Sequence, residues 1–545
     1  MSRALSENPA GRPLTLFAIT ALAIGLVWWW LGTPVKLPPS ALAAGQKLNC
    51  VSYAPFRAGQ DPLVEGTRVS AAQIDEDLAL LSKYTNCIRT YSVDDGRGDV
   101  LASARRYGLK VLHGVWISGD PAKTRQQIAA TVELAREYPD VISAIIVGNE
   151  VLLRGEMSAA DLMADIRAIK SQVSEPVSYA DVWEYWLRYP DLANAVDFVT
   201  IHVLPYWEDF PIPATQAAAH VEAIRAKVAA AIPNKDIVIG EFGWPSAGRM
   251  REGARPSPSN QALAIQETLA LAQRENFRVN IIEAFNQPWK RWLEGAVGGY
   301  WGIVDRSTGT LDFSFGGAVS DHPYWPMQAL AGIILAALSF GGAFAATRGK
   351  IPAPLIWPKI AALTFLPAVL FGWTVEMVPV DAFSIGGWFR GLAFAVTAAA
   401  APIICATACA AGRRPPVFAA LLARDGARRD PLSLALGATL IALVLLSVQT
   451  ALGLVFDPRY RDIPFAPQSG AAISFLALWL LTPRMAASAA ARAMAEMTAA
   501  GVLAVSAIYI AINESFANWQ AVWLAAGLIG LAVILLQARD APDSE

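Results

Sequence analysis

Two short stretches carry side chains able to do chemistry: Val147-Gly148-Asn149-Glu150-Val151 and Gly240-Glu241-Phe242-Gly243-Trp244-Pro245-Ser246. Each closes an apolar, β-rich run with a carboxylate, and about 90 residues of alternating helix and strand signals lie between them. Scission of a glycosidic bond needs two such groups. One gives a proton to the leaving oxygen, and the other attacks or stabilises the sugar cation. His113, His202, His220 and His322 show no metal-ligand spacing, so neither a metal nor a cofactor is expected.

The elements that must position these groups follow a repeating pattern from Leu48 onward. Strand-like runs are Leu48–Ala54, Cys87–Tyr91, Lys110–Trp116, Ile142–Val147, Val177–Ala180, Phe198–Val203, Ile237–Ile239 and Val279–Phe285. Helical patterns fall between them. Ser70 caps one in which Ile74, Leu78 and Leu81 share a face, and Ser158 with Asp161 makes a capping-box-like start before Leu162, Ile166 and Ile169. Further amphipathic stretches are 121–137, 213–231 and 259–274. Nearly continuous apolar runs suit parallel strands buried on both faces. Eight of them in residues 45–322 predict a (β/α)8 barrel, the TIM-barrel architecture. An open doubly wound sheet would bring a Gly-rich phosphate loop after an early strand, and none is present. Catalytic groups of such barrels cluster where the strands end. Glu150 ends the fourth run and Glu241 the seventh. Tyr53, Arg89 with Tyr91, Trp116, Trp183 with Trp186, His202 with Tyr206 and Trp207, and Glu283 with Trp289 end the others. Any one tryptophan is more often core than binding surface; their clustering after strand ends favours stacking on sugar faces.

Of the 545 residues, 54% are hydrophobic and 17% charged, below the roughly 25% charged of soluble domains. Two populations make that average: residues 45–322 carry charges throughout, whereas 326–539 repeat apolar spans with basic loops. Leu14–Gly32 is an apolar run long enough to cross a bilayer, preceded by Arg3 and Arg12 and closed by Trp28-Trp29-Trp30. A retained anchor within residues 1–34, with a cytoplasmic N-terminus, is expected rather than a signal peptide cut near Ala41-Leu42-Ala43. Further candidate spans are 328–346, 355–375, 391–411, 433–455, 468–483, 498–512 and 518–537, the fifth and sixth being short, with Ala-rich 484–497 a possible interfacial helix. About eight spans place one basic loop set (Arg348, Lys350; Arg413, Arg414, Arg424, Arg428, Arg429; Arg484, Arg492; Arg539) on the cytoplasmic side. Glu376, Asp381, Asp457, Arg459, Arg461, Asp462 and Glu514 fall in the opposite loops. No Asp, Glu or His is expected near mid-span, and Lys359 and Arg390 sit at span edges where they can snorkel. The net charge of -2 gives no reason to expect nucleic acid. Cys405 and Cys409 lie inside an apolar span. Cys50 and Cys87 are expected to be buried thiols, because bridging geometry is demanding, with a disulfide the alternative in an oxidising compartment.

On these residues the chain resembles glycoside hydrolase family 17, over about 46–305. Glu241-Phe242-Gly243-Trp244-Pro245-Ser246 is similar to that family's nucleophile segment, and Val147-Gly148-Asn149-Glu150 to its fourth-strand Asn-Glu. Weaker echoes are Ile88-Arg89-Thr90-Tyr91, Pro205-Tyr206-Trp207, Glu283 to Lys290, and Tyr300-Trp301-Gly302. The resemblance implies that Glu241 is a nucleophile forming a covalent glucosyl-enzyme and that Glu150 is the acid that becomes the base. It implies that Asn149 holds the sugar 2-hydroxyl, that Tyr206 orients Glu241, and that Tyr53, Arg89, Tyr91, Trp183, Trp207, Trp244, Glu283, Trp289, Lys290 and Trp301 line the substrate. The family's third carboxylate is replaced here by Gln287, to which no catalytic role is given, and its fourth is missing near Gly298. A retaining pair stands about 5–5.5 Å apart, and its acid needs a raised pKa.

The glucosyl-enzyme can be released by a sugar hydroxyl or by water. Transfer is favoured, since remodelling a nascent glucan at the membrane serves a cell better than degrading it there. Bacterial chains that join such a domain to a membrane bundle are associated with β-1,3-glucan elongation, branching or cyclisation. Trp244, Trp289 and Trp292 are the candidate acceptor-side aromatics. The expected partners are β-1,3-glucan donor and acceptor chains, the lipid bilayer and a membrane glucan synthase. The expected place is the bacterial inner membrane with the catalytic domain periplasmic. An endo-β-1,3-glucanase and a non-catalytic glucan-binding or export protein are the alternatives. A nucleotide-sugar synthase is disfavoured, because Gln287-Pro288-Trp289-Lys290-Arg291-Trp292 has one residue too many for the Gln-x-x-Arg-Trp pattern and Asp94-Asp95 lacks a strand context.

Overall fold

The computed structural model describes residues 11–537 apart from 95, 97, 350–352, 354, 423–429 and 483–492. Asp95, Arg3, Lys350, Arg424, Arg428, Arg429, Arg484, Arg492, Arg539 and most of the 484–497 stretch therefore lie outside the described residues. The chain divides into two units, one of Pro34–Ala247 with Gly253–Val319 and one of Met1–Thr33, Gly248–Glu252 and Ser320–Glu545.

The first is a closed barrel of eight parallel strands. In chain order these are β1 (Cys50–Ser52), β2 (Cys87–Arg89), β3 (Lys110–Val115), β4 (Ile142–Asn149), β5 (Val177–Val182), β6 (Val199–His202), β7 (Ile237–Phe242) and β8 (Val279–Ile281). Pairing of β1 with β8, Val51 opposite Ile281, closes the ring. Leu112, Ala144, Ile146, Ala180, Phe198 and Val238 pack together as an apolar cluster of these strands. The helices start where side-chain oxygens can take the free N–H groups of the first turn. Ser70 accepts from the Gln73 amide, Ser158 from Asp161 and Ser257 from Asn260, while Asp120 caps the helix Pro121–Glu137. Ile74, Leu78 and Leu81 are buried together as their spacing predicts. The helix Asp99–Tyr107 has no sequence signal of that kind; it is bounded by Gly98 and Gly108, both left-handed.

Most strand boundaries differ from the hydropathy reading, and β7 runs on through Phe242 so that Glu241 lies inside it. β1 and β8 are shorter than their apolar runs, because after Ser52 and Ile281 the chain leaves the ladder. β4 runs on through Asn149, carrying the polar end of its motif into the barrel. A larger correction concerns Cys50 and Cys87, which form a disulfide rather than two thiols. The register of β1 on β2, Val51 opposite Ile88, sets the two cysteines side by side across the ladder, with Cα atoms 4.3 Å apart. Cys405 and Cys409 are buried free thiols, as expected.

The second unit is helical. Among the described residues, seven helices are long and apolar enough to cross a membrane: Arg12–Leu31, Trp325–Thr347, Ile356–Asp381, Ser384–Ala411, Pro431–Phe456, Met494–Asn513 and Trp519–Leu536. Phe465–Leu481 is an eighth apolar helix, but shorter. The short 498–512 run becomes a 20-residue helix because Met494–Met497 extend it. Glu376, expected in a loop, lies within Ile356–Asp381 and bonds the His322 imidazole at 2.8 Å. Lys359 reaches the Leu481 carbonyl at 2.8 Å. Ser469 donates between helices to the Trp523 carbonyl at 2.9 Å.

Candidate active site

The acid end of β4 owes its geometry to two backbone positions. Gly148 has φ +88, and a Cβ there would meet the Val151 side chain at 2.6 Å. Two residues on, Glu150 itself is left-handed at φ 54, a conformation costly for a residue with a side chain. Its amide is held by the Ala180 carbonyl at 2.8 Å and its carbonyl by the Arg154 amide at 2.9 Å. Glu241 is simpler: it sits inside β7, preceded by Gly240, where a Cβ would stand 2.3 Å from the Thr200 side chain and 3.1 Å from the His202 ring.

The barrel brings the two carboxylates onto His202 at the end of β6. Its Nδ1 lies 2.7 Å from Glu150 Oε1 and 3.7 Å from Glu241 Oε2, and the three facing atoms all lie within 4.8 Å of one another. Arg89 donates to Glu241 Oε1 at 2.8 Å, to the Gly240 carbonyl at 2.9 Å and to Asn149 Oδ1 at 2.6 Å. Tyr91 donates to the same Glu241 oxygen at 2.8 Å. Burial pushes the Glu241 pKa up, but His202, Arg89, Lys290 and the Tyr91 hydroxyl outweigh it, so Glu241 is held below the usual carboxylate range. Lys290 bonds Glu283 at 2.9 Å, and burial leaves Glu283 raised despite that ammonium. Glu150, His202 and Glu241 form a group that could hold a metal ion, a convergence the sequence spacing does not show. The guanidinium of Arg89 and the ammonium of Lys290 face the same carboxylates and oppose a divalent cation there.

The predicted lining residues divide. Arg89, Tyr91, Asn149, His202, Glu283 and Lys290 converge on the pair. Trp207, Trp289 and Trp183 are half-buried near strand ends. The Trp289 indole donates to Gln287 at 2.9 Å; the Trp183 indole donates to Glu208 at 3.2 Å, and Lys227 lies 4.4 Å from its ring. Tyr53, Tyr206, Trp244 and Trp301 are core residues with almost no exposed face. Tyr206 stands edge-on to Trp207, Trp244 and Trp301, so these rings pack on one another, and the buried Trp244 offers no acceptor surface. Gln287 is buried and bridges the Ala54 carbonyl to Trp289, a structural task.

Sequence reasoning missed two acids. Asp181, at the end of β5, is fully buried, accepts from Tyr179 and the Val182 amide, and is pushed up to about 6 by burial and then by Glu150. Its position closing an apolar run was the available signal. Glu294 is half-buried in the loop after β8, and burial raises it to about 7, with Glu283, Glu150 and Glu241 adding to the rise. No sequence pattern marks it. A cavity of about 230 Å³ is lined at the other end of the barrel by Asn49, Lys110 and Arg278 and reaches Arg89 and Gly240, the neighbours of Glu241.

Residues 50–302 match the family model described as the BtgE/BtgC glycoside hydrolase domain. A probable beta-glucosidase btgE of Aspergillus flavus is 30% identical over 272 residues, covering 48% of this chain and 43% of the relative. A probable family 17 glucosidase SCW10 of Saccharomyces cerevisiae is 26% identical over 259 residues, covering 47% of this chain and 64% of the relative. A solved glycoside hydrolase family 17 β-1,3-glucanosyltransferase from Rhizomucor miehei is 24% identical with a TM-score of 0.43, covering 48% of this chain and 95% of that one. The chain spans less than two thirds of the length of these curated relatives.

Proposed function

We propose that this chain, whose residues 50–302 match the family model described as the BtgE/BtgC glycoside hydrolase domain, is a membrane-anchored, retaining β-glucan transglycosylase acting on β-1,3-glucan. The observation that carries the reading is the carboxylate pair, with facing oxygens of Glu150 and Glu241 within 4.8 Å. Inverting enzymes need about 6.5–9.5 Å to admit a water between the carboxyls, whereas a retaining pair stands near 5–5.5 Å.

In the first step a Glu241 oxygen attacks the anomeric carbon of the donor glucan while Glu150 gives its proton to the departing glycosidic oxygen. The C–O bond breaks and a glucosyl ester forms. In the second step Glu150 takes the proton of an acceptor hydroxyl, whose oxygen displaces Glu241 and restores both carboxyls. Water in place of the acceptor makes the same chemistry hydrolysis. Arg89 and Tyr91 keep Glu241 ionised, and Asn149, fixed by Arg89, is placed to meet the sugar 2-hydroxyl. Exposed Leu153, Phe210 and Trp292 lie in the loops after β4, β6 and β8, the barrel end that carries the carboxylates, and favour a glucan acceptor over water.

The proposed arrangement is an N-terminal anchor within 1–34, a catalytic domain over 45–322 and a membrane bundle over 326–539. It places the domain on the periplasmic face of a bacterial inner membrane, beside a membrane glucan synthase that supplies the donor. The Cys50–Cys87 disulfide suits such an oxidising compartment. Incubating the purified chain with a linear β-1,3-glucan oligosaccharide and sizing the products tests the reading. Longer or branched products support transfer. Glucose or short oligomers mean a glucanase instead, and unchanged substrate means a binding protein.

A further inference from the structure

Beside the nucleophile, two neighbouring strands supply polar side chains that the steps above do not use. Ser52 closes β1, opposite Arg89 on β2, and Asn280 lies within β8, the strand that pairs with β1. Both side chains are buried in the barrel. Asn280 Nδ2 stands 2.7 Å from the Gly240 carbonyl and 2.7 Å from Ser52 Oγ. The Tyr91 hydroxyl stands 2.8 Å from Ser52 Oγ and 2.8 Å from Glu241 Oε1. These contacts join Asn280, Ser52, Tyr91 and Glu241 in one unbroken line.

The direction of its protons follows from the end that cannot vary. A carbonyl only accepts, so the Asn280 atom facing Gly240 is the amide nitrogen, and Ser52 Oγ receives that group's second hydrogen. Ser52 has one proton of its own to give, and Tyr91 is the neighbour that can take it. Tyr91 in turn has one proton. With Ser52 already donating to it, that proton goes to Glu241. Burial, and then the charge of Glu241, push the Tyr91 hydroxyl well above its usual range, so it stays protonated. The Gly240 carbonyl also accepts from Arg89 at 2.9 Å. The peptide just before the nucleophile thereby anchors both the guanidinium and the amide.

We propose that Asn280 is a positioning residue for the nucleophile: by donating to Ser52 it sets a relay in which Ser52 donates to Tyr91 and Tyr91 to Glu241. The proposal rests on the glycosidase reading above. Asn280→Asp puts an acceptor where the donor stood. Ser52 then gives its proton to the new carboxylate and takes that of Tyr91, and Glu241 loses its bond. Adding Ser52→Ala leaves Tyr91 with Glu241 alone to donate to. The probe is an epoxyalkyl glycoside of a β-1,3-glucan disaccharide. Glu241 attacks an epoxide carbon to form an ester, and the released ring oxygen takes a proton from Glu150. The probe is applied to the full chain in detergent from pH 3.5 to 8, with the label located by mass spectrometry. The wild type is expected to label at Glu241. Asn280→Asp and Tyr91→Phe should each label roughly 10–100-fold more slowly, the worth of a hydrogen bond to a charged group, with the acid limb moved up. Asn280→Asp combined with Ser52→Ala should label severalfold faster than Asn280→Asp alone, a recovery that a packing defect or the added charge does not produce. No recovery, or a wild-type rate in Asn280→Asp, overturns the inference. So does an unmoved acid limb in Tyr91→Phe, which removes a single oxygen. A wild type that does not label at Glu241 overturns the glycosidase reading and this inference with it.

Discussion

Glu150 and Glu241 carry the same carboxyl group into different surroundings. The Glu241 side chain is 5% exposed and held by a guanidinium and a phenol; that of Glu150 is 22% exposed and meets His202 on one side and open solvent on the other. A nucleophile must be ionised and fixed, whereas an acid/base must exchange protons with what enters the cleft. Replacing Glu150 by Ala should lower turnover by about 10²–10⁴-fold. Added azide should restore release as a β-glucosyl azide, detected by chromatography, and an unrescued variant would move the acid role elsewhere. Arg89→Met removes the charge that favours ionised Glu241. The acid limb of the pH–rate profile should then move up by about 1–3 units. An unmoved limb would mean that Arg89 only packs. The identities of the pair were legible in sequence because each ends an apolar run. Asp181 closes an apolar run in the same way but belongs to no quoted motif, and Glu294 follows no pattern at all; burial is what sets both of them apart.

Strand ends, turns and one cross-link do the positioning. Gly240 lets β7 pass the Thr200 and His202 side chains, so Gly240→Ala should shift Glu241 and depress turnover while leaving glucan affinity nearly unchanged; KM and kcat measured together separate the two. The Cys50–Cys87 bond ties β1 to β2 across 37 residues of sequence. Loop-closure entropy assigns such a link about 3–4 kcal/mol. Cys50→Ala with Cys87→Ala should accordingly lower the midpoint of thermal inactivation by roughly 6–15 °C, for a domain of this size. A change within error would mean the bond is dispensable. The eight strands and most helices could be read from apolar runs and caps, because hydropathy and N-cap chemistry are local. The disulfide could not, because it depends on the register between two strands, a relation that neither strand contains alone.

Across the whole molecule, several acids are more easily protonated folded than unfolded. Glu184 and Glu294 are each pushed up to about 7, burial being the first cause in both. Such groups hold their protons more tightly in the native state, so they favour folding at lower pH and that advantage is lost as pH rises through about 7. His113, buried and lowered to about 4, acts the other way, but only between about 4 and its unfolded value near 6.5. The window from pH 6.5 to 8 is therefore governed by the acids, and the melting midpoint of the chain should fall across it by roughly 1–4 °C. A flat or rising midpoint would contradict those protonation states. The chain by itself determined a barrel-forming segment, a set of apolar spans and two glutamates at strand ends, since these are periodic or contiguous features. The tertiary structure alone decided that His202 stands between the glutamates, that Tyr206, Trp244 and Trp301 are buried rather than surface, and that Glu294 packs against Gly298. The first two facts rest on distances between residues tens to hundreds of positions apart, and no local pattern encodes such a distance.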